Sequence, residues 1–187
     1  WSSTDAHQCA GVGLRGQPSI WDVQQQEQVA RLEHEDQATQ LCIGYKQAGE
    51  GAGVVLATGN GSKEGPVRLY DIHSGKCTAK LKGPEVAYAL AWAPDGNRLA
   101  VAGQHLFVYD MRAPTAALTV KTAGTLQSVV WGLEGTPSAG VVAVAGGTSH
   151  AVQLFDAATW EAVGSLEGHT HAIRGLSWSS GGSQLAS

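Results

Sequence analysis

The chain has 187 residues, 43% of them hydrophobic, and carries a formal net charge of −4 at pH 7 with a pI near 5.9. Because it is acidic and has no basic run, it lacks the electrostatic footprint of a nucleic-acid-binding protein, and we expect no direct nucleic-acid partner. The longest apolar run, residues 139–145, is far shorter than the roughly 20 residues of a membrane-spanning helix, so we expect no membrane partner.

Strand signals dominate the chain: short runs of Val, Leu, Ile and Ala lie between Gly, Pro, Asn and Asp. No segment keeps helical periodicity, so the sequence predicts an all-β fold. In the first half we predict strands at 8–13, 19–23, 28–32, 40–45, 54–58, 67–71 and 77–82. In the second half we predict them at 87–92, 98–102, 106–109, 117–120, 126–131, 141–145, 152–155, 162–166 and 173–178.

Two sequence markers recur along these strands. An apolar stretch closing on an aromatic residue and an aspartate occurs four times, and its aspartates, 49, 39 and 46 residues apart, are Asp22, Asp71, Asp110 and Asp156. A second aromatic series runs out of phase with the first and consists of Tyr45, Trp92, Trp131 and Trp178. Two interleaved markers with a period of about 40 to 50 residues, made of short strands, indicate a propeller or a solenoid.

The predicted second strand of each later repeat is apolar at every position instead of alternating, as at 54–57, 99–102 and 141–145. Both faces of such strands must be covered, which a propeller achieves by placing each sheet between two others. Burial of each aromatic side chain of the second series is expected to contribute about 1.5–3 kcal/mol.

With these markers the chain resembles the WD-repeat family, whose unit carries Gly-His before its first strand and Trp-Asp at the end of its third. The fullest match is the stretch 166–178, which contains Gly168, His169 and Trp178. The resemblance implies a WD-repeat β-propeller, with about four blades' worth of an incomplete ring that is expected to have about seven blades. The expected repeats are 1–34, 35–83, 84–122 and 123–168, with a partial repeat at 169–187.

The chain opens at Trp1, and Trp1-Ser2-Ser3 matches Trp178-Ser179-Ser180, so we expect an internal fragment of a longer protein. Closure into a four-bladed ring is the alternative.

The chain also departs from the family pattern. The resemblance implies that His169 joins a buried hydrogen-bond network with a Ser or Thr, a Trp of the third strand and an Asp in the turn between the second and third strands. Gly-His occurs once here, only Trp21 keeps the Trp of Trp-Asp, and the turn aspartate is missing. Hydrophobic packing is therefore expected to carry more of the stability.

No residue pattern indicates a cofactor, a metal or catalysis. The glycine-rich stretch 11–16 precedes a predicted strand instead of a helix, and 59–63 lacks the order of a phosphate-binding loop. His169 and His171 have no third ligand at metal-binding spacing. We therefore expect no cofactor and no enzyme activity within this chain.

The three cysteines, Cys9, Cys42 and Cys77, are far apart and lie in predicted strands. Their odd number and spacing favour small buried side chains in a reducing compartment. We expect a cytoplasmic or nuclear protein.

Residues next to the start of each first strand are candidates for binding partners. The resemblance implies that they surround the narrower entrance of the central channel, where partners usually dock, and exposed Tyr and Arg are typical interface anchors. Aligned on the aromatic series, the candidates are Glu85, Val86, Tyr88, Leu126, Gln127, His171 and Arg174.

A second candidate is Tyr109-Asp110-Met111-Arg112. It resembles the Trp-Asp-x-Arg box of WD-repeat substrate receptors of cullin-RING ubiquitin ligases, which implies that Arg112 would contact the ligase adaptor together with Tyr109 and Asp110. The alternative is an arginine that merely lies on the rim.

Together these observations predict a non-enzymatic scaffold that binds other proteins or peptides as a subunit of a hetero-complex. One alternative is the substrate receptor of a cullin-RING ligase. Another is the interaction domain of a larger enzyme whose catalytic part lies outside this sequence. A repeat fold does not by itself identify a partner.

Overall fold

The computed structural model describes residues 7–11, 18–32, 40–45, 55–60, 67–113, 117–147 and 149–187. Within these ranges the chain forms short β-strands and no helix, so no described segment could cross a membrane as a helix. The strands are β1 (Gln8–Gly11), β2 (Ser19–Asp22), β3 (Glu27–Arg31), β4 (Gln40–Tyr45), β5 (Val55–Asn60), β6 (Val67–Asp71), β7 (Cys77–Leu81), β8 (Ala89–Trp92), β9 (Arg98–Ala102), β10 (Leu106–Asp110), β11 (Ala117–Val120), β12 (Ser128–Trp131), β13 (Val141–Ala145), β14 (Val152–Asp156), β15 (Ala162–Leu166), β16 (Ser177–Trp178) and β17 (Leu185–Ala186).

Consecutive strands pair as antiparallel neighbours and form five sheets, which we call units 1 to 5 in chain order. Unit 1 contains β1–β3, unit 2 β4–β7, unit 3 β8–β11, unit 4 β12–β15 and unit 5 β16–β17. The pairing of β9 with β10 shows the regular register, which runs from Ala102 opposite Leu106 to Arg98 opposite Asp110. The prediction of an all-β chain is confirmed.

The sheets stack face against face. In β9, Leu99 and Val101 belong to the apolar cluster shared with unit 2, whereas Ala100 and Ala102 belong to the cluster shared with unit 4. All four side chains are fully buried. A strand covered on both faces has no reason to alternate polar and apolar residues, which explains the unbroken apolar sequence of the second strands.

The first strands β4, β8 and β12 lie side by side, and the outer strands of each unit extend away from them. Successive sheets therefore meet along their first strands and stack through their faces. This is the arrangement of blades in a β-propeller, and the chain forms part of one.

The recurring aspartates cap the turn before the outermost strand in units 1 to 4. Asp71 Oδ1 accepts hydrogen bonds from the backbone N–H and the hydroxyl of Ser74, at 2.7 and 2.8 Å. Asp156 Oδ1 accepts the backbone N–H groups of Ala158 and Thr159 at 2.9 and 2.8 Å. Asp side chains favour such turns because they satisfy backbone donors that the strands leave unpaired.

The recurring tryptophans end the first strands and join one unit to the next. Trp92 and Trp131 are 9% and 7% exposed, which confirms their predicted burial. Trp131 Nε1 donates a hydrogen bond to the backbone carbonyl of Ala91 in unit 3 at 2.8 Å. Trp178, in the two-stranded unit 5, is only half-buried, and its Nε1 has no partner in the described part of the chain.

One further prediction from the sequence differs from the structure, and others lie outside the described residues. Cys9 and Cys77 are half-buried instead of buried, and neither forms a disulfide within the described part of the chain. Most of the glycine-rich stretches 11–16 and 59–63, and the side chains of Cys42 and Tyr45, lie outside the described residues.

Candidate protein-binding surface

The upper rim is the edge of the sheets at which first and third strands begin and second and fourth strands end. In unit 3 it consists of the connection 82–88, which enters β8, and the loop 103–105 between β9 and β10. The lower rim is the opposite edge. Loops on such rims vary freely while the sheets hold them in place, so binding residues are expected there.

The residue four positions before each recurring tryptophan lies on the upper rim. These residues are Tyr88, Gln127 and Arg174, one in each of units 3, 4 and 5. The Tyr88 side chain is 39% exposed, Arg174 is exposed and Gln127 is half-buried. We call these three residues the rim row.

The backbone fixes two members of the rim row in the same way. The N–H of Tyr88 donates to the carbonyl of Ala102, and the N–H of Gln127 donates to the carbonyl of Ala145, both at 2.8 Å. Each acceptor is the last residue of the second strand in the same unit. Equivalent backbone bonds therefore place equivalent side chains on the rim.

Leu126 has to be removed from the candidate residues. It is 1% exposed and packs in the core between units 3 and 4. Its equivalents Ala87 and Ile173 are also buried, at 0% and 4% exposure. The N–H of Leu126 donates to the carbonyl of Gly103 at 2.7 Å, so the chain crosses from one unit to the next here with this side chain inward.

The remaining upper-rim candidates differ in exposure. Glu85 and His171, each seven positions before its tryptophan, are both exposed, and Val86 is half-buried. His171 Nδ1 lies 3.0 Å from the hydroxyl of Thr170. The structure therefore brings Glu85, Val86 and Tyr88 together on one connection, and His171 and Arg174 on another.

Two glycines that the sequence analysis did not single out allow neighbouring segments of the upper rim to pack closely against each other. A Cβ added at Gly103 would lie 2.5 Å from Cβ of Pro84 and 2.9 Å from the carbonyl oxygen of Val86. A Cβ at Gly146 would lie 2.4 Å from the backbone nitrogen of Gln127. Both glycines directly follow a second strand that ends in alanine, and this recurring Ala-Gly pair was the available signal.

The lower rim carries the segment that resembles the adaptor-binding box. Tyr109 is fully buried and its hydroxyl donates to the carbonyl of Lys82 at 2.6 Å. Burial raises the pKa of this phenol. Asp110 and Arg112 form an ion pair, with Nε to Oδ1 at 2.9 Å, and the Arg112 side chain is 75% exposed. These hydrogen bonds lower the pKa of Asp110 to about 2.

A cleft of about 220 Å³ lies between units 3 and 4 on the lower rim. The guanidinium of Arg98 lies over the Trp131 ring, 5.0 Å from its centroid, and donates to the carbonyl of Ala157. The Trp160 ring meets Trp131 edge-on, with centroids 5.6 Å apart. Arg98 and Trp131 therefore line this cleft as a cation stacked on an aromatic ring, a pair that sequence reasoning did not identify.

His169 lies against Ser187, with Nε2 2.6 Å from the hydroxyl oxygen, but both residues are exposed, so this contact is not the buried network that the resemblance implied. Among the described residues no group of three His, Cys, Asp or Glu side chains is close enough to hold a metal ion.

Stacked antiparallel sheets that expose varied residues on their rim loops define a repeat protein of the β-propeller class. Residues 75–110 and 160–187 match the family model "WD40: WD domain, G-beta repeat". Over 132 residues the chain is 30% identical to Meiotic fizzy-related protein 1 of Schizosaccharomyces pombe, an alignment that covers 69% of this chain and 30% of the relative. The matched segments therefore carry WD40 repeats, and the chain is similar to proteins of the WD-repeat family. WD40 repeats are generally non-catalytic interaction domains, and WD-repeat proteins generally bind other proteins.

Proposed function

We propose that the chain is a rigid, non-enzymatic platform that binds other proteins or peptides on its upper rim. It would act as a subunit of a hetero-complex in the cytoplasm or the nucleus. The observation that carries this proposal is the rim row: Tyr88, Gln127 and Arg174 occupy one equivalent position in three successive units. Tyr and Arg, together with Trp, are enriched among the side chains that anchor protein interfaces.

The geometry of the rim supports binding without rearrangement. The backbone bonds from Tyr88 and Gln127 to the second strands, and the close approach of Gly103 to Pro84, hold the connections in place. Side chains that are already positioned lose less conformational freedom when a partner binds. The rim also carries both signs of charge, since Glu85 and Arg174 are exposed, which suits a partner with both acidic and basic groups.

Site-specific photo-crosslinking tests this proposal. A photoreactive amino acid is placed at position 88, 127 or 174, and at the exposed lower-rim position Glu134 as the matched control. We expect crosslinked partner proteins from the three upper-rim positions and few or none from position 134. Equal crosslinking at position 134, or none at the rim row, would refute an upper-rim platform.

The exposed Arg112 supports a second candidate, the substrate receptor of a cullin-RING ligase. Its ion pair with Asp110 holds the guanidinium at the protein surface, where an adaptor protein could contact it. Binding of the ligase adaptor by the wild-type chain is compared with binding by Arg112→Ala and by the control Lys121→Ala, which removes another exposed cation. Unchanged binding by Arg112→Ala would remove the receptor hypothesis.

A third candidate, attachment to a catalytic domain, concerns residues beyond this sequence. The chain spans about 30% of the length of the relative that it matches, so the activity of a whole protein is a separate proposal. Recovery of the full coding sequence tests it directly.

A further inference from the structure

Strand β15 forms the outer edge of unit 4. The sheet order β12-β13-β14-β15 leaves one side of β15 without a strand neighbour among the described residues. All five of its residues, Ala162–Leu166, are exposed, and Val163 and Leu166 are 59% and 45% exposed. An exposed apolar edge strand offers a row of backbone donors and acceptors to another chain.

This edge lacks the charges that usually prevent such pairing. Among the other outer strands, β3 carries Glu27 and Arg31, and β7 carries Lys80. Strand β11 also has no charge but is one residue shorter. Strand β15 contains no charged residue, so nothing on the strand itself opposes the approach of another strand.

The backbone groups that point outward from β15 follow from the ladder. The N–H of Ala157, just after β14, donates to the carbonyl of Gly140, just before β13. Every second residue along β14 therefore points its backbone N–H and C=O to β13, and these residues are Phe155 and Gln153. The alternate residues Leu154 and Val152 then bond to β15, at Gly164 and Leu166. Because hydrogen bonding alternates along an antiparallel strand, the N–H and C=O of Ser165 point away from the sheet.

We infer that β15 accepts an extended segment of a partner protein as an additional strand, and that basic residues flank this segment. Addition of a strand to an exposed sheet edge is a common mode of peptide recognition. Glu161 and Glu167, both exposed, stand at the two ends of β15 and would pair with the basic flanks. This surface is separate from the upper rim, so the inference does not rest on the rim row.

A second copy of the chain is a poorer occupant than a basic peptide. Antiparallel pairing of two β15 strands would place Glu161 of one copy opposite Glu167 of the other, and parallel pairing would place identical glutamates side by side. Like charges directly opposite one another destabilise strand pairing. The charge pattern therefore favours a different chain with lysine or arginine at both ends of the segment.

The test uses the whole chain and a fluorescein-labelled peptide, acetyl-Lys-Val-Thr-Val-Thr-Val-Lys-amide, in fluorescence anisotropy. Ser165→Pro removes the outward N–H and leaves the β14 ladder intact, and proline is tolerated on strand edges in this orientation. We expect Ser165→Pro to weaken binding at least about fivefold, since it removes a backbone hydrogen bond and adds a steric block. Ser165→Ala keeps the N–H and should bind within about twofold of wild type.

A matched edge control comes from β11. The N–H of Met111 donates to Asn97, which by the same alternation leaves the Thr119 N–H pointing outward from β11. Thr119→Pro should bind the peptide as wild type does. A peptide with glutamate in place of both lysines should bind at least about threefold more weakly, and Glu161→Gln with Glu167→Gln should remove this difference.

The inference fails if Ser165→Pro binds the peptide as tightly as wild type while its thermal unfolding is unchanged. It also fails if Thr119→Pro causes the same loss, or if the glutamate peptide binds equally well. Concentration-dependent dimerisation that Ser165→Pro abolishes would assign the edge to a second copy and overturn the proposed partner. Loss of peptide binding in Ser165→Pro with unchanged crosslinking at position 88 would support β15 independently of the upper rim.

Discussion

Replacement of Trp131 by phenylalanine tests whether the recurring tryptophans hold successive units together. The Trp131 side chain is 7% exposed, and its Nε1 donates to the carbonyl of Ala91 in the preceding unit at 2.8 Å. Arg98 lies over one ring, 5.0 Å from its centroid, and the Trp160 ring approaches edge-on at 5.6 Å. Phenylalanine retains an aromatic ring but has no N–H and a smaller surface.

The expected loss of stability is the sum of three terms. The carbonyl of Ala91 loses its hydrogen-bond donor in a largely buried position, which costs about 1–2 kcal/mol. The smaller ring buries less apolar surface, which costs about 1 kcal/mol. A weaker cation–π contact with Arg98 costs about 0.5 kcal/mol. We therefore expect Trp131→Phe to lower the free energy of unfolding by about 3 kcal/mol, a large share of the roughly 5–15 kcal/mol of an ordinary domain.

Urea unfolding followed by far-ultraviolet circular dichroism measures this loss, because the fluorescence of the remaining tryptophans would confuse the signal. The matched control is Trp160→Phe. Trp160 is half-buried, and no hydrogen bond of its indole lies within the described part of the chain, so we expect a loss of about 1 kcal/mol or less. If Trp131→Phe costs no more than Trp160→Phe, the indole hydrogen bond does not join the units and the reasoning is wrong.

Three further predictions test other contacts. Gly103→Ala would place a Cβ 2.5 Å from Cβ of Pro84, so urea unfolding should show a loss of stability of about 1–3 kcal/mol. In the control Gly164→Ala the nearest atom to the new Cβ lies at 3.7 Å, and the loss should be less than about 1 kcal/mol. Equal losses would contradict the steric argument. Burial raises the pKa of Tyr109, so its contribution is present below a pH of about 10 and is lost as pH rises through the folded-state pKa. Alkaline unfolding of Tyr109→Phe should accordingly be less steep, and an unchanged profile would count against the buried phenol. The Arg112 ion pair lowers the pKa of Asp110 to about 2, so its contribution is present above a pH of about 4 and is lost as pH falls toward 2. Asp110→Asn should lower the urea midpoint at pH 6 and leave it nearly unchanged at pH 2; equal losses at both pH values would refute the assignment.

Much of the fold could be predicted because the repeat imposes the same requirements on each unit. The strand bounds at 98–102, 117–120, 141–145 and 162–166 agree with the structure, since Gly, Pro and Asp mark the turns around them. The burial of both faces of β9 follows from its unbroken apolar sequence. The Asp markers recur because each accepts hydrogen bonds in the turn that follows it. In the Trp series, Trp92 and Trp131 are buried in the clusters between units, and Trp131 also donates a hydrogen bond to the preceding unit.

The first strands are shorter than predicted for a reason that the sequence does not display. Strand β8 begins at Ala89 and β12 at Ser128, whereas the apolar pattern suggested 87 and 126. The residues before them form backbone bonds to the end of the second strand, and Leu126 bonds across to Gly103 of the preceding unit. These are tertiary contacts, and a hydrophobic pattern within one strand carries no information about them.

The error at Leu126 shows which information separates a buried from an exposed residue on the rim. Where both faces of a strand are covered, alternation of polar and apolar residues no longer indicates which side chain points outward. Polarity alone therefore does not show which of the two residues before β12, Leu126 or Gln127, is exposed. Alignment of the units on the recurring tryptophan does distinguish them: the fifth residue before it is apolar in units 3, 4 and 5, as Ala87, Leu126 and Ile173. The fourth residue before it is Tyr88, Gln127 or Arg174. At the buried position, packing requires an apolar residue in each of these units. At the exposed position the fold imposes no such requirement, so the residues that differ between units and can specify partners are concentrated there.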